Sequence, residues 1–254
     1  MTELLGAEDV ELSFKGVMAL HGVSLAVRPG ELVGVIGPNG SGKTSFLNCV
    51  SGFYRPQRGR ILLDGVDLCH RAPHAIARLG VARTFQNIAL YSGLTTIENL
   101  LAARHIFFRS TFLEGGLFVG RALREEVLHR RVCEEIMDLL DLQPVRDRQV
   151  GMLSYGWRKR VELGRALALD PRLLLLDEPM AGMNVEEKED MVRSILAAMQ
   201  QRQLAAILVE HDLQVVMDIA DRVVVFNFGE IIAEGAAAAV SQDPRVVEAY
   251  VGHR

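Results

Sequence analysis

The stretch LVGVIGPNGSGKT, residues 32–44, decides the fold of this chain. It opens with the short apolar run 32–36, which has the length and composition of a strand buried on both faces. The residues that follow fit the pattern G-x-x-x-x-G-K-[ST], and a helical pattern begins at Lys43. A glycine-rich turn between a buried strand and a helix is typical of a loop that binds phosphate. We therefore predict a phosphate-binding loop in an α/β core.

The residue types of this loop match the chemistry of a triphosphate. Successive backbone N–H groups can surround phosphate oxygens if no Cβ blocks their approach, which is the role we expect for the glycines. The helix start adds its positive dipole end, and the Lys43 ammonium pairs with the β- and γ-phosphates. The Thr44 hydroxyl is a hard oxygen ligand suited to Mg²⁺. The predicted nucleotide-binding residues of this segment are Gly37, Pro38, Asn39, Gly40, Ser41, Gly42, Lys43, Thr44 and Ser45.

Apolar runs of strand length alternate with helical patterns along the rest of the chain. The runs 173–176, 204–209 and 223–226 predict buried parallel strands, and the segments 43–52, 155–169, 185–200 and 213–220 predict helices between them. The N-terminal runs 10–14, 23–27 and 60–63, with turn residues nearby, predict an antiparallel sheet beside the core. Residues 95–143 predict a mostly helical lobe, and 236–239 a short helix.

Two adjacent acids, Asp177 and Glu178, end the apolar run 173–176. Ligands bind at the carboxyl ends of parallel strands, so both side chains are expected beside the phosphate-binding loop. We predict that Asp177 holds Mg²⁺, directly or through water, and that Glu178 accepts a proton from an attacking water. Taken alone, an acidic strand end is equally well a simple turn; the loop is what makes it a candidate site.

Composition and charge exclude several functions. The chain has 254 residues and a net charge of −4, which gives no electrostatic reason to expect nucleic acid as a partner. The loop does not fit G-x-G-x-x-G, which argues against a dinucleotide oxidoreductase. No apolar run approaches the roughly 18 residues of a membrane span, and the acidic N-terminus is unlike a signal peptide. The sequence therefore predicts that any membrane role comes through a partner.

The segment LSYGWRKR, residues 153–160, resembles the signature of the ABC family, usually written LSGGQ. The resemblance covers nearly the whole chain and implies an α/β fold: a P-loop NTPase core with a parallel sheet, an N-terminal antiparallel β subdomain and an inserted helical subdomain. It implies one domain over residues 1–254, with the helical subdomain at approximately 95–170, and the cofactors ATP and Mg²⁺. In that family two subunits pack head to tail, so Ser154, Tyr155 and Gly156 would contact the ATP of a second ABC ATPase subunit.

The resemblance also implies roles for three further residues. Gln86 matches the glutamine that contacts Mg²⁺ or the attacking water, His211 the histidine that contacts the γ-phosphate, and Phe14 the aromatic ring that stacks on adenine. Gln86 is thus both a catalytic and a metal-binding candidate. Trp157 departs from the usual glutamine; because an indole N–H cannot accept a hydrogen bond, we expect Trp157→Gln to change the ATPase rate modestly.

Other segments resemble one branch of the family, the ATPase subunits of bacterial importers for branched-chain and other hydrophobic amino acids. They are residues 80–87, 94–99, 153–156, 178–184 and 248–252. This resemblance implies integral membrane permease subunits, an indirect periplasmic substrate-binding protein, and a peripheral location on the cytoplasmic face of the inner membrane. An importer of urea, amides or aromatic acids, an exporter, and a non-transport ABC ATPase stay open as alternatives. The apolar stretch 106–118 is either a subunit contact or a small local core.

Overall fold

The computed structural model describes residues 3–85, 88–108 and 121–251. Within these ranges the strands are β1 Leu5–Phe14, β2 Val17–Val27, β3 Leu32–Ile36, β4 Arg58–Leu63, β5 Val66–Asp67, β6 Val81–Thr84, β7 Leu173–Asp177, β8 Ala205–Val209, β9 Arg222–Asn227 and β10 Glu230–Gly235. The α-helices are α1 Lys43–Val50, α2 Pro73–Arg78, α3 Thr96–Arg104, α4 Arg121–Leu139, α5 Tyr155–Leu167, α6 Val185–Arg202, α7 Leu213–Ile219, α8 Ala237–Val240 and α9 Pro244–Val251. Short 3₁₀ turns cover His105–Phe107, Gln143–Val145 and Val150–Met152.

The central sheet carries the site. Among the described residues its strand order is β10-β9-β3-β8-β7-β6, and all neighbours are parallel except β10, which is antiparallel to β9. Every residue of β3, β7 and β8 is buried, which explains why these strands are apolar runs without alternation. Because β3, β8 and β7 are adjacent and parallel, the loops after them meet at one edge of the sheet.

A second sheet, antiparallel and in the order β2-β1-β4-β5 within the described chain, lies against the first. Its inner face shares a hydrophobic core with α1 and with one face of the central sheet; Val10, Phe46 and Val35 are members of this core. The helix that follows the phosphate-binding loop is therefore held between the two sheets. The predicted α/β class, with its antiparallel N-terminal sheet, is confirmed.

Helices α3, α4 and α5 lie between β6 and β7 in the chain. They bury Leu100, Cys133, Ile136 and Leu163 in the second large core, on the other face of the central sheet. Helix α3 begins with a capping box, in which the Thr95 hydroxyl accepts from the Glu98 N–H and Glu98 accepts from the Thr95 N–H. The subdomain boundary at approximately residues 95–170 stays a prediction. In the described part of the chain, every helix is too short or too polar to cross a membrane.

Candidate functional site

The loop between β3 and α1 folds around its own lysine. The Lys43 ammonium donates to the carbonyl oxygens of Gly37 at 2.7 Å and Pro38 at 2.9 Å, and the residue is only 6% exposed. Burial lowers the pKa of Lys43 below its usual value, and the nearby carboxylates of Glu178 and Asp177 oppose this shift. The loop thus holds a buried ammonium group with two carboxylates nearby.

A cavity of about 250 Å³ opens onto this loop. It brings together residues from the carboxyl ends of three neighbouring strands, so segments far apart in sequence share one space. Its lining consists of Ala19, Asn39, Gly40, Ser41, Gly42, Lys43, Thr44, Ser45, Glu178 and His211. The structure therefore places the two predicted catalytic groups, Glu178 and His211, opposite the predicted phosphate-binding residues.

Glu178 and His211 are in direct contact. The His211 Nε2 atom lies 2.6 Å from Glu178 Oε1. The Glu178 side chain is 12% exposed and the His211 side chain 47% exposed. The Glu178 backbone is in the left-handed region, with φ 50°, and its N–H donates to the Val209 carbonyl at 2.9 Å. This turn, strained for a non-glycine residue, aims the carboxylate at the cavity.

Asp177 is almost fully buried at the end of β7. Its Oδ2 accepts from Arg83 Nη2 at 2.7 Å, whereas its Oδ1 is buried and has no hydrogen-bond partner among the residues that the structure describes. A buried carboxylate oxygen without a partner is unfavourable unless a group outside these residues satisfies it. Asp177 therefore has one oxygen committed to the protein and one available to a ligand.

The segment predicted to be the signature lies around a different cavity. Ser154 caps α5 and is exposed, while Gly156 is buried so closely against α6 that a Cβ there would collide with the Glu187 carboxylate. This cavity, about 170 Å³, is lined by Ser154, Gly156, Trp157, Arg160, Met183, Glu187 and Asp190. Among the described residues, none lines both this cavity and the one at the phosphate-binding loop. The candidate residues of one chain are therefore divided between two places.

Phe14 ends β1 and is 43% exposed. Its ring meets the ring of Tyr54 edge to face, with centroids 5.0 Å apart. The next strand, β2, carries Ala19, which lines the loop cavity. Phe14 thus presents a half-exposed ring that Tyr54 supports, and its stacking on adenine stays a prediction.

The profile of the family described as "ABC transporter" matches residues 20–181, which is more than half of the chain. The chain belongs to the ABC transporter family. A second profile, described as "Branched-chain amino acid ATP-binding cassette transporter", matches residues 230–254. The resemblance inferred from the loop and the signature is thereby confirmed, and the chain is an ATP-binding ABC ATPase.

Curated ABC relatives align over nearly their whole length. The high-affinity branched-chain amino acid transport ATP-binding protein BraF of Pseudomonas aeruginosa is 37% identical over 249 residues, with 98% of each chain covered. LivG of Escherichia coli K12, which carries the same description, is 38% identical over 256 residues, also with 98% of each covered.

Solved ABC cassettes share the fold. The ADP conformation of MJ1267, an ATP-binding cassette of an ABC transporter, superposes with a TM-score of 0.86 at 32% identity and covers all of both chains. A nucleotide-free ATP-binding cassette from an ABC transporter gives a TM-score of 0.85, also at 32% identity, over 99% of this chain and all of that one.

Magnesium fits the oxygen atoms of this ABC site. Thr44 faces the loop cavity, the Asp177 Oδ1 lacks a partner within the described part of the chain, and both are hard oxygen donors. Among the described residues no group of three or more His, Cys, Asp or Glu side chains could hold a metal ion by itself. Mg²⁺ commonly takes one or two protein oxygens and completes its shell with phosphates and waters.

Gln86 lies outside the described residues, so its predicted position in the site stays a prediction.

Sequence reasoning missed Glu210, which lies in this ABC site. It is 4% exposed, and its carboxylate accepts from the Met180 N–H at 2.7 Å and the His211 N–H at 3.2 Å. It therefore ties the turn after Glu178 to His211. The signal in the sequence was an acid directly after a fully apolar strand.

Proposed function

We propose that this chain is the ATP-hydrolysing subunit of an importer for branched-chain or other hydrophobic amino acids. One observation carries the hydrolytic part: Glu178 and His211 are paired across the loop cavity from Lys43 and Thr44. The transport part rests on the relatives, whose names describe branched-chain amino acid transport, and on the match of residues 230–254.

In the proposed mechanism the loop residues 37–45 bind the phosphates of ATP, and Phe14 stacks on the adenine. Thr44, Asp177 and Gln86 would hold Mg²⁺, which neutralises charge on the β- and γ-phosphates. Glu178 accepts the proton of the attacking water, and His211, fixed by its contact with Glu178, orients the reacting groups. Lys43 stabilises the charge that develops on the phosphate oxygens.

We further propose that a second ABC ATPase subunit completes each site. Ser154, Tyr155 and Gly156 lie at the start of α5, where unpaired N–H groups and the helix dipole favour an anion. Their cavity is separate from the loop cavity of the same chain, which supports a head-to-tail pair with ATP held between loop and signature. Hydrolysis would separate the pair, and integral membrane permease subunits would follow that motion.

The proposed location follows from these partners. The chain would act as a peripheral subunit on the cytoplasmic face of the inner membrane, where its permease partners would provide the membrane spans. A periplasmic substrate-binding protein would act on the complex only indirectly, by delivering the cargo on the opposite side.

Glu178→Gln tests the hydrolytic assignment. Gln keeps the size of the side chain but cannot accept the proton, so we expect ATP to be bound and not hydrolysed. Sedimentation with ATP and Mg²⁺ should show a stable dimer of the variant and a monomer when ATP is omitted. Lys43→Ala is the control, because it should lose ATP binding and therefore the dimer. Hydrolysis by Glu178→Gln at the parent rate would show that Glu178 is not the base.

Uptake tests the transport assignment. A strain lacking this gene should take up labelled leucine more slowly, and the parent gene should restore uptake while the Glu178→Gln gene should not. Unchanged uptake of leucine, isoleucine and valine in the deletion strain, with uptake of another cargo lost, would contradict the amino-acid assignment and leave the ATPase assignment intact.

A further inference from the structure

Arg83, on β6, is buried beside the predicted metal site. Its side chain is 6% exposed and that of Asp177 is 2% exposed, and the two form an ion pair of 2.7 Å. The pair joins residues 94 positions apart in the chain, through the parallel pairing of β6 with β7. Removing two charges from water is unfavourable, so a pair buried this deeply must be offset by good geometry and further hydrogen bonds.

The other arm of the same guanidinium reaches helix α1. Arg83 Nη1 donates to Asn48 Oδ1 at 2.6 Å and to Ser51 Oγ at 3.1 Å. Asn48 lies in the helix that begins with Lys43 and Thr44, and Ser51 caps its end. Arg83 therefore connects the carboxylate at the end of β7 to the helix that follows the phosphate-binding loop.

The planar fork of arginine suits this bridge. Its two terminal nitrogens donate in fixed and different directions, whereas a lysine ammonium is a single centre on a flexible stem. The Arg83 contact occupies one oxygen of Asp177 and restrains the carboxylate. The second oxygen, Oδ1, is then left without a partner from residues 3–85, 88–108 and 121–251.

We propose that Arg83 is a positioning residue for Asp177. It holds Oδ2 so that Oδ1 stays directed to the metal, and it keeps the carboxylate in register with Thr44 through α1. This inference rests on the proposed binding of ATP with Mg²⁺. Outer partners that orient a metal-binding side chain typically change metal affinity by about 10- to 100-fold when they are removed.

The test compares nucleotide affinity with and without the metal. The β,γ-imido analogue of ATP is titrated calorimetrically into the full-length protein, once with Mg²⁺ and once with EDTA. For the parent protein we expect tighter binding with Mg²⁺. For Arg83→Met we expect the ratio of the affinity with Mg²⁺ to the affinity with EDTA to fall by about 10-fold or more. The affinity in EDTA should change little, because the loop residues that bind the phosphates are unaltered.

Arg222→Met is the matched control. Arg222 also forms a largely buried ion pair, with Glu31 at 2.8 Å, but it begins β9 and so lies at the end of the sheet opposite to the loop cavity. Its loss should lower thermal stability and leave the ratio unchanged, whereas Arg83→Met should change both. If Arg83→Met does not fold, Arg83→Lys and Asn48→Ala carry the test, and each should reduce the ratio by a smaller factor.

The outcomes separate the proposed metal site from the proposed positioning role of Arg83. A parent protein that binds the analogue no better with Mg²⁺ than with EDTA contradicts the proposed metal site itself. If the parent binds the analogue more tightly with Mg²⁺ and the Arg83 variants keep the same affinity ratio, with only their thermal stability reduced, the positioning role is overturned. Arg83 would then be purely structural. A fall in the ratio for Arg222→Met equal to that for Arg83→Met would also overturn it.

Discussion

The three glycines of the phosphate-binding loop have different surroundings. A Cβ on Gly37 would collide with the carbonyl oxygen of Phe226 in β9, and one on Gly42 would lie 2.7 Å from the carbonyl oxygen of Ala19 in β2. A Cβ on Gly40 would meet nothing within 4 Å. Sequence reasoning gave all three one role, the approach of phosphate. The structure assigns Gly37 and Gly42 to close packing of the loop on both sheets, and leaves Gly40 facing open space.

Gly37→Ala and Gly40→Ala should therefore fail in different ways. At Gly37 both the collision and the backbone angle oppose a side chain, so we expect a loss of several kcal/mol in the free energy of unfolding. At Gly40 the positive φ alone should cost about 1–2 kcal/mol, while ATP affinity should fall because the methyl group occupies the cavity. Urea unfolding and calorimetric ATP binding measure the two effects. Equal stability of both variants would contradict the packing role of Gly37.

At the scale of elements, Arg160 joins α5 to α6 and also contacts Trp157, the residue that departs from the usual signature. The Arg160 guanidinium lies over the Trp157 ring at 5.0 Å and pairs with Asp190 of α6 at 3.0 Å. Tyr155 packs beside Gly182, in the turn before α6. Because these contacts lie within one chain, the indole at position 157 stabilises the position of α5 in addition to any contact with nucleotide.

Trp157→Gln should lower the free energy of unfolding by about 1 kcal/mol or more, because the cation–π contact and part of the buried ring area are lost. We expect the ATPase rate to change modestly, since Ser154 and Gly156 are retained. Chemical denaturation and a steady-state ATPase assay measure the two quantities. Trp157→Phe is the control. Because it keeps an aromatic face for Arg160, its free energy of unfolding should lie between those of the parent and of Trp157→Gln. Complete loss of hydrolysis in a folded Trp157→Gln protein would contradict this prediction.

The strand boundaries show which sequence signals were sufficient to predict a strand. The run 32–36 matches β3, because a strand buried on both faces is apolar throughout. Strands β6 and β10 were not expected. β6 carries Arg83 and Thr84 among its four residues, and β10 is an edge strand with Glu230 and Glu234 exposed, so neither resembles an apolar run. Their assignment depends on hydrogen bonds to β7 and β9.

For the whole molecule, the site forms where loops from β3, β7 and β8 converge, and this places a carboxyl group in the interior. Burial raises the pKa of the Glu210 carboxyl group above its usual value, although the N–H groups of Met180 and His211 donate to it. The folded state then holds the proton more tightly than the unfolded state does. The stability that Glu210 contributes is complete below the unfolded-state pKa, near 4.5, and is lost as the pH rises through the folded-state value.

Glu210→Gln should remove this pH dependence. The free energy of unfolding of the variant, relative to that of the parent, should rise as the pH is raised from about 4 to 7.5, in urea titrations at fixed salt. Glu134→Gln is the matched control with the opposite sign, because Arg146 lowers the pKa of Glu134 through a direct hydrogen bond. A parent and a Glu210→Gln variant with parallel pH profiles would show that the burial of Glu210 is not linked to stability.

The sequence by itself determined the phosphate-binding loop, the acids at the end of β7, the signature and the α/β class, because each depends on short-range constraints. A glycine-rich turn, an apolar strand and the start of a helix are set by neighbouring residues. Only the tertiary structure decided that Arg83 holds Asp177, that Glu210 joins two turns, and that loop and signature line separate cavities in one chain. These relations depend on which strands are adjacent, and strand order is set by packing over the whole molecule rather than by any local stretch.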